Sequence, residues 1–154
     1  MSAKPWRSIS WGASTACGRP LRTWKKTAGG QIVFVSSIVG KRGFPFNAAY
    51  CASKFAVQGL TESIRPELAA KNIHVIAICP PGVDTDFFKN NGKSEKREFR
   101  LHSVEKIARM TIQACEKEKR ELLPTFDAKI LHVANFFAPA LMDRAIAKVK
   151  GVKK

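Results

Sequence analysis

The runs QIVFVSS (31–37) and IHVIAICPPG (73–82) are both continuous, apolar and rich in β-branched residues, and a long stretch of helical spacing separates them. A strand that is apolar at successive positions, rather than at alternate ones, needs cover on both of its faces. Two such strands joined through a helix form a βαβ unit, whose strands run parallel in one sheet. This single feature argues against helical bundles and antiparallel sandwiches.

The remaining segments fit the same plan. A loop containing Gly40, Gly43 and Pro45 follows the first run, and helical spacing then extends from about Asn47 to Lys71. Ala49, Ala52 and Ala56 form a small-residue flank that Leu60, Ile64 and Leu68 continue at spacing four, suited to close packing on a sheet or another helix. Pro66 is expected to kink that helix locally. Pro80 and Pro81 end the second strand. The segment SVEKIARMTIQACEKEK (103–119) predicts an amphipathic helix capped by Ser103, and RELLPT (120–125) a short third strand. From about Ala128 to Val149 the chain predicts an apolar helix broken by Pro139, running into the basic tail Lys148, Lys150, Lys153 and Lys154. Three strand–helix repeats in this order predict an α/β domain with a parallel sheet.

At 154 residues, with 45 % apolar and 25 % charged residues, the chain is one globular domain's worth. No uncharged apolar run approaches the ~18 residues of a membrane span, so no transmembrane helix is expected. The net charge of +15 would ordinarily suggest nucleic acid or an anionic membrane as partner. Its distribution weakens that reading. All twelve acids lie from Glu62 onward, whereas residues 1–26 carry Lys4, Arg7, Arg19, Arg22, Lys25 and Lys26 with no acid. No specific nucleic-acid partner is expected. Cys17, Cys51, Cys79 and Cys115 are widely spaced and form no zinc-ligand pattern, which predicts free thiols in a reducing compartment and no metal. Residues 1–22 have no apolar core of the secretory type, so the expected location is cytoplasmic.

Residues 1–28 stand apart as an atypical basic segment. Pro5, Gly12, Gly18 and Pro20 interrupt any helical period, and Trp6, Trp11 and Trp24 are scattered through it. Regular alternation begins at Gly29, so 29–154 is read as the folded unit.

Tyr50, the only tyrosine, lies four residues before Lys54 in FNAAYCASKFAVQG (46–59). On a helix the two side chains leave from one face. A nearby ammonium favours the charged form of a phenol, so such a tyrosine can exchange a proton near neutral pH. The same spacing also fits an ordinary solvated helix face, and the context decides between them. Ser37 ends the first strand and Thr85 follows the second, both at carboxyl ends, where parallel sheets bind ligands. His74, His102 and His132 have no triad-like partners and read as ordinary surface or half-buried residues, and Cys51 as a packing thiol.

These stretches, VSS at a strand end, AAYCASKFAVQGL, ELAAKNIHV and CPPGVDT, resemble the short-chain dehydrogenase/reductase family in its Tyr-x-x-x-Lys branch. The resemblance runs from about Gly29 to Phe88 and extends more loosely over 103–149. It implies the carboxyl-terminal, catalytic half of a Rossmann-like, doubly wound parallel sheet, with about three strands and flanking helices. The implied activity is hydride transfer between NADP or NAD, with NADP favoured, and an alcohol or ketone. Tyr50 would be the general acid/base, Lys54 would assist it and hold the nicotinamide ribose, and Ser37 would hold the carbonyl oxygen. Pro80, Pro81, Gly82, Val83 and Thr85 would line the cofactor, Thr85 at the carboxamide. Pro81 stands where the family usually has glycine, which tilts the expected substrate towards an apolar, lipid-like molecule. The run KNNGKSEKREFR (89–100) reads as a solvated loop, and it falls where the family has a mobile lid over the substrate.

Only 49 residues precede Tyr50, too few for the family's first four strands and its glycine-rich cofactor turn. GASTACGRPL (12–21) aligns with that turn superficially, but Ala16 replaces a glycine and no apolar strand precedes it. The competing reading is that a frame error or altered start replaced the family's residues there. The family's catalytic asparagine would fall near Ile9 or Ser10, so that role is unfilled. Two alternatives to an enzyme follow: a non-catalytic remnant acting through an association surface, with the Tyr50 helix between subunits of a homo-oligomer, or a basic module that touches membrane surfaces through 130–154.

Overall fold

A computed structural model describes residues 29–85 and 101–151. Strand β1 (Gly30–Val35) leads through a 3-10 turn (Ile38–Gly40) to helix α1 (Ala48–Ala69) and strand β2 (Ile73–Ile78). Helix α2 (Val104–Glu116), strand β3 (Glu121–Leu122), helix α3 (Phe126–Phe137) and helix α4 (Pro139–Val149) complete the order. The expectations for the basic segment 1–28, the run 89–100, and Lys153 and Lys154 fall outside the described residues.

The three strands form one parallel sheet in the order β1-β2-β3. β1 and β2 pair along their whole length, from Gly30 opposite Ile73 to Val35 opposite Ile78. Successive side chains of a strand point to opposite faces, and here each face has its own helix. Ile32 and Phe34 of β1, with Ile73 and Val75 of β2, pack against Val57, Leu60, Ile64 and Leu68 of α1. Val33, Ile76, Ile78 and Leu122 pack on the other side against Met110, Ala114 and Cys115 of α2. This two-sided cover explains why both strands are apolar at consecutive positions. The architecture is α/β with helices on both faces of a parallel sheet.

Two details, the alanine flank of α1 and the length of the third strand, differ from the sequence expectation. The alanines at 49, 52 and 56 do not face the sheet but are exposed. Larger residues on the other side of α1 bury more apolar area per contact and take the sheet side. Pro66 lies within α1 on its exposed side, where the carbonyl it leaves without a donor can meet water. The third strand is two residues long rather than six, because β2 ends at Ile78 and Pro124 has no N–H to extend a ladder.

The helix starts behave as their residues suggest. Ser103 caps α2 by accepting from the Lys106 N–H at 3.2 Å, and Thr125 caps α3 by accepting from the Ala128 N–H at 3.4 Å. Pro139 divides the final helical stretch in two and opens α4, where its missing N–H has no partner to lose. The loop after β1 holds this pair of helices: Arg42 donates to Asn135 Oδ1 at 2.8 Å and pairs with Asp143, while Asn135 donates to the Lys41 carbonyl at 3.4 Å. No described helix is long and apolar enough to cross a membrane.

Candidate active site

The site begins where β1 runs out. The Ser36 N–H donates to the Ile78 carbonyl at 2.8 Å and the Ile38 N–H to the Pro80 carbonyl at 3.0 Å, so the β1–β2 register continues past both strands. Between them Ser37 adopts an extended conformation and caps the 3-10 turn, its Oγ accepting from the Val39 N–H at 3.4 Å. The same hydroxyl donates to the Pro80 carbonyl at 3.3 Å and is 8 % exposed. Both bonds are long for a hydroxyl, so turning it towards another acceptor gives up little.

Helix α1 is fastened to this strand end at one residue. Ser36 Oγ donates to the Lys54 main-chain carbonyl at 3.0 Å, and Lys54 Nζ donates to the Val35 carbonyl at 3.2 Å. Gly40 permits the contact. A Cβ there would lie 2.7 Å from Ser36 Oγ and 2.8 Å from the Lys54 carbonyl oxygen. One turn earlier, the Tyr50 ring lies 5.7 Å from the Lys54 ammonium, within cation–π range. Burial lowers the Lys54 pKa from its ordinary value. Tyr50 itself is 37 % exposed, so solvent reaches it. Cys51 is turned inward and buried, donating to the Phe44 carbonyl and accepting from its N–H, which ties the preceding loop to the start of α1.

The second strand end supplies the opposite rim. Pro80 is held by Ser37 and Ile38, and the chain then runs through Pro81 to Gly82, Val83 and Thr85 in half-buried positions. Val83 forms a parallel bridge with His102: the His102 N–H donates to the Gly82 carbonyl at 2.9 Å, and the Asp84 N–H to the His102 carbonyl at 3.0 Å. A side chain on Gly82 would press on Leu101, its Cβ 2.9 Å from Leu101 Cδ2. Thr85 Oγ1 bonds within its own turn, to the Val83 carbonyl at 3.4 Å. Beneath the rim a chain of polar contacts links the sheet to α1. Gln58 donates to Cys79 Sγ, which donates to Glu121 at 3.3 Å, and Lys41 pairs with Glu121 at 2.7 Å.

Ser37 is therefore bonded to Pro80 just past the end of β1, Lys54 is anchored on the Val35 carbonyl at that strand end with the Tyr50 ring facing it, and Pro81 to Thr85 continue along the adjoining edge. Ser36, Gly40 and His102 are positioning residues that no sequence argument singled out. Ser36 and Gly40 had one signal, the doubled serine followed closely by glycine in a turn; His102 had none, because it acts through its backbone. The three described cysteines are free, and no group of three or more His, Cys, Asp or Glu side chains gathers into a metal-binding set among the described residues.

Comparison with known proteins agrees with this architecture. A 3beta-hydroxysteroid dehydrogenase of Mediterraneibacter gnavus is 57 % identical over 58 residues, covering 38 % of this chain and 21 % of the relative. A dehydrogenase/reductase SDR family protein 7-like of Drosophila melanogaster is 33 % identical over 132 residues, covering 80 % of this chain and 40 % of the relative. The chain thus spans well under half the length of either. A crystal structure of a short chain dehydrogenase from Burkholderia cenocepacia, in complex with NADP, superposes with a TM-score of 0.66 at 24 % identity, covering 77 % of this chain and 47 % of that one, and shares its fold. The sequence model of the short chain dehydrogenases matches residues 11–96, more than half of the chain. The chain belongs to the short chain dehydrogenase family.

Proposed function

We propose that the chain serves NAD(P)-dependent hydride transfer between a nicotinamide nucleotide and an apolar alcohol or ketone, with Tyr50 as general acid/base. The observation that carries this reading is Lys54, whose ammonium is anchored on the carbonyl of Val35, two residues before Ser37, and faces the Tyr50 ring at the carboxyl edge of a parallel sheet. The donor set suits the nicotinamide-ribose end of such a cofactor. An ammonium has three N–H groups and one serves Val35, so the others can meet ribose hydroxyls. When bound, the nicotinamide gives hydride to a carbonyl carbon, or takes it from a carbinol carbon.

The chain's own residues handle the oxygen. Ser37 turns its hydroxyl from the Pro80 carbonyl to the substrate oxygen and fixes its direction. In reduction Tyr50 gives its phenolic proton to that oxygen as negative charge develops, and in oxidation it takes the proton back. Its exposure lets water restore its protonation state. Thr85 and the segment Pro80–Val83, stiffened by the bridge to His102, border the carboxamide side. The similarity to a 3beta-hydroxysteroid dehydrogenase and the proline at position 81 support an apolar substrate. NADP is the first cofactor to test, because the solved neighbour holds it.

The test is NADPH oxidation with a panel of steroid and long-chain ketones. Tyr50→Phe lowers kcat/KM by about 10²–10⁴-fold, with an unchanged circular dichroism spectrum. Lys54→Met raises the KM for cofactor as well. Equal turnover by wild type and Tyr50→Phe would sink this assignment.

A further inference from the structure

Helix α3 carries an apolar stripe on the side turned away from the protein. Its inward side is marked by buried Ala128 and by Asn135, bonded to Lys41 and Arg42. At 100° per residue, Phe126, Ile130, Val133 and Phe137 fall on the opposite side, and all four are exposed, Phe126 and Phe137 by more than three quarters. An open groove of about 340 Å³ runs beside the stripe, lined by Phe126, Lys129, Ile130, Val133 and Ala134. The next helix, α4, buries Ile146 and exposes Leu141, Arg144 and Lys148. Of the two acids on these helices, Asp143 is paired with Arg42, so the outer charge is predominantly basic.

We propose that α3 and α4 form a peripheral face that lies on an anionic lipid bilayer, with the α3 stripe at the acyl boundary and Arg144 and Lys148 at the lipid phosphates. Apolar and basic residues on the exposed sides of consecutive helices are the combination that binds the interface of a charged membrane. A second copy of the chain suits the face less well, because it would bring the same basic residues on a chain of net charge +15. Spanning is excluded for α3 by length: its 12 residues reach about 18 Å, against about 30 Å of hydrocarbon. The proposal is independent of the catalytic reading.

The experiment is flotation of the whole chain with phosphatidylcholine vesicles containing about 30 mol % phosphatidylserine, against phosphatidylcholine alone. The chain is expected to float with the anionic vesicles only, and to be released as salt rises from about 50 to about 500 mM. The pair Ile130→Ser and Phe137→Ser, which changes no charge, weakens binding about tenfold or more. Arg144→Gln with Lys148→Gln weakens it too. Circular dichroism checks that each variant is folded. Three results overturn the proposal. In the first, wild type stays at the bottom of the gradient with either vesicle. The serine pair can bind as wild type does, which makes the attraction general to the basic chain. Sedimentation can instead reveal a dimer that the serine pair abolishes, which gives the face to a second copy.

Discussion

Gly40 is the residue on which the geometry around Lys54 turns. Replacing it with alanine would set a methyl 2.8 Å from the Lys54 carbonyl oxygen, a main-chain atom of α1 that cannot swing aside. The helix must shift or the turn must open. We expect Gly40→Ala to lower stability by about 1–3 kcal/mol, read from the urea midpoint. Any residual turnover should show a raised KM for cofactor, because Lys54 moves with its backbone. Cys79 gives a prediction of another kind. Burial first, and then the neighbouring Glu121 carboxylate, push its thiol pKa from 9.0 up to about 12. The folded state therefore keeps this proton where the unfolded chain loses it. The contribution is fully present below about pH 9 and is lost as pH climbs from there towards about 12. Between about pH 8 and about pH 10.5 the wild-type urea midpoint should fall more steeply than that of Cys79→Ala, and parallel slopes would refute the assignment.

Among the elements, α1 is the one that both the core and the site depend on. Leu68 is fully buried between α1 and the sheet. Leu68→Ala should cost about 2–5 kcal/mol, larger than any exposed substitution on the same helix, and thermal unfolding followed by circular dichroism would measure it. The strands were legible in the amino-acid order because two-sided cover leaves residues apolar at consecutive positions, as from Val75 to Ile78. The direction of α1 was less legible. Alanines at 49, 52 and 56 continue the spacing of Leu60 and Ile64, and spacing alone does not say which flank is larger and hence buried. The length of β3 depended on where its neighbour ends, which residues 120–125 do not carry in themselves. Ser37, Tyr50 and Lys54 could be picked out because their chemistry sits in side chains. Ser36 acts through a hydroxyl aimed at a main-chain carbonyl, Gly40 through the room it leaves and His102 through its backbone, and a catalytic side-chain motif does not record those.

Across the whole molecule, one edge shapes the rest. β1 has a single strand partner among the described residues, and Val35 at its end is more than half exposed. An apolar strand with a free edge seeks a neighbour. The uncovered side of α1, with Ala52, Phe55 and Ala56 exposed, offers a separate surface for the homo-oligomer contact that we propose for the Tyr50 helix. Both surfaces are distinct from the outer side of α3, so association through them and attachment to lipid can be measured independently. The proposed chemistry belongs to the rim at the carboxyl end of β1, to which Ser37, Tyr50 and Lys54 contribute. The most direct measurement is transfer of deuterium from C4-labelled NADPH to a ketone, read by mass spectrometry of the alcohol product. Deuterium is expected on the carbinol carbon with the wild-type chain, and is expected to be lost in Tyr50→Phe. Product without label, or labelled product formed equally by Tyr50→Phe, would contradict this chemistry.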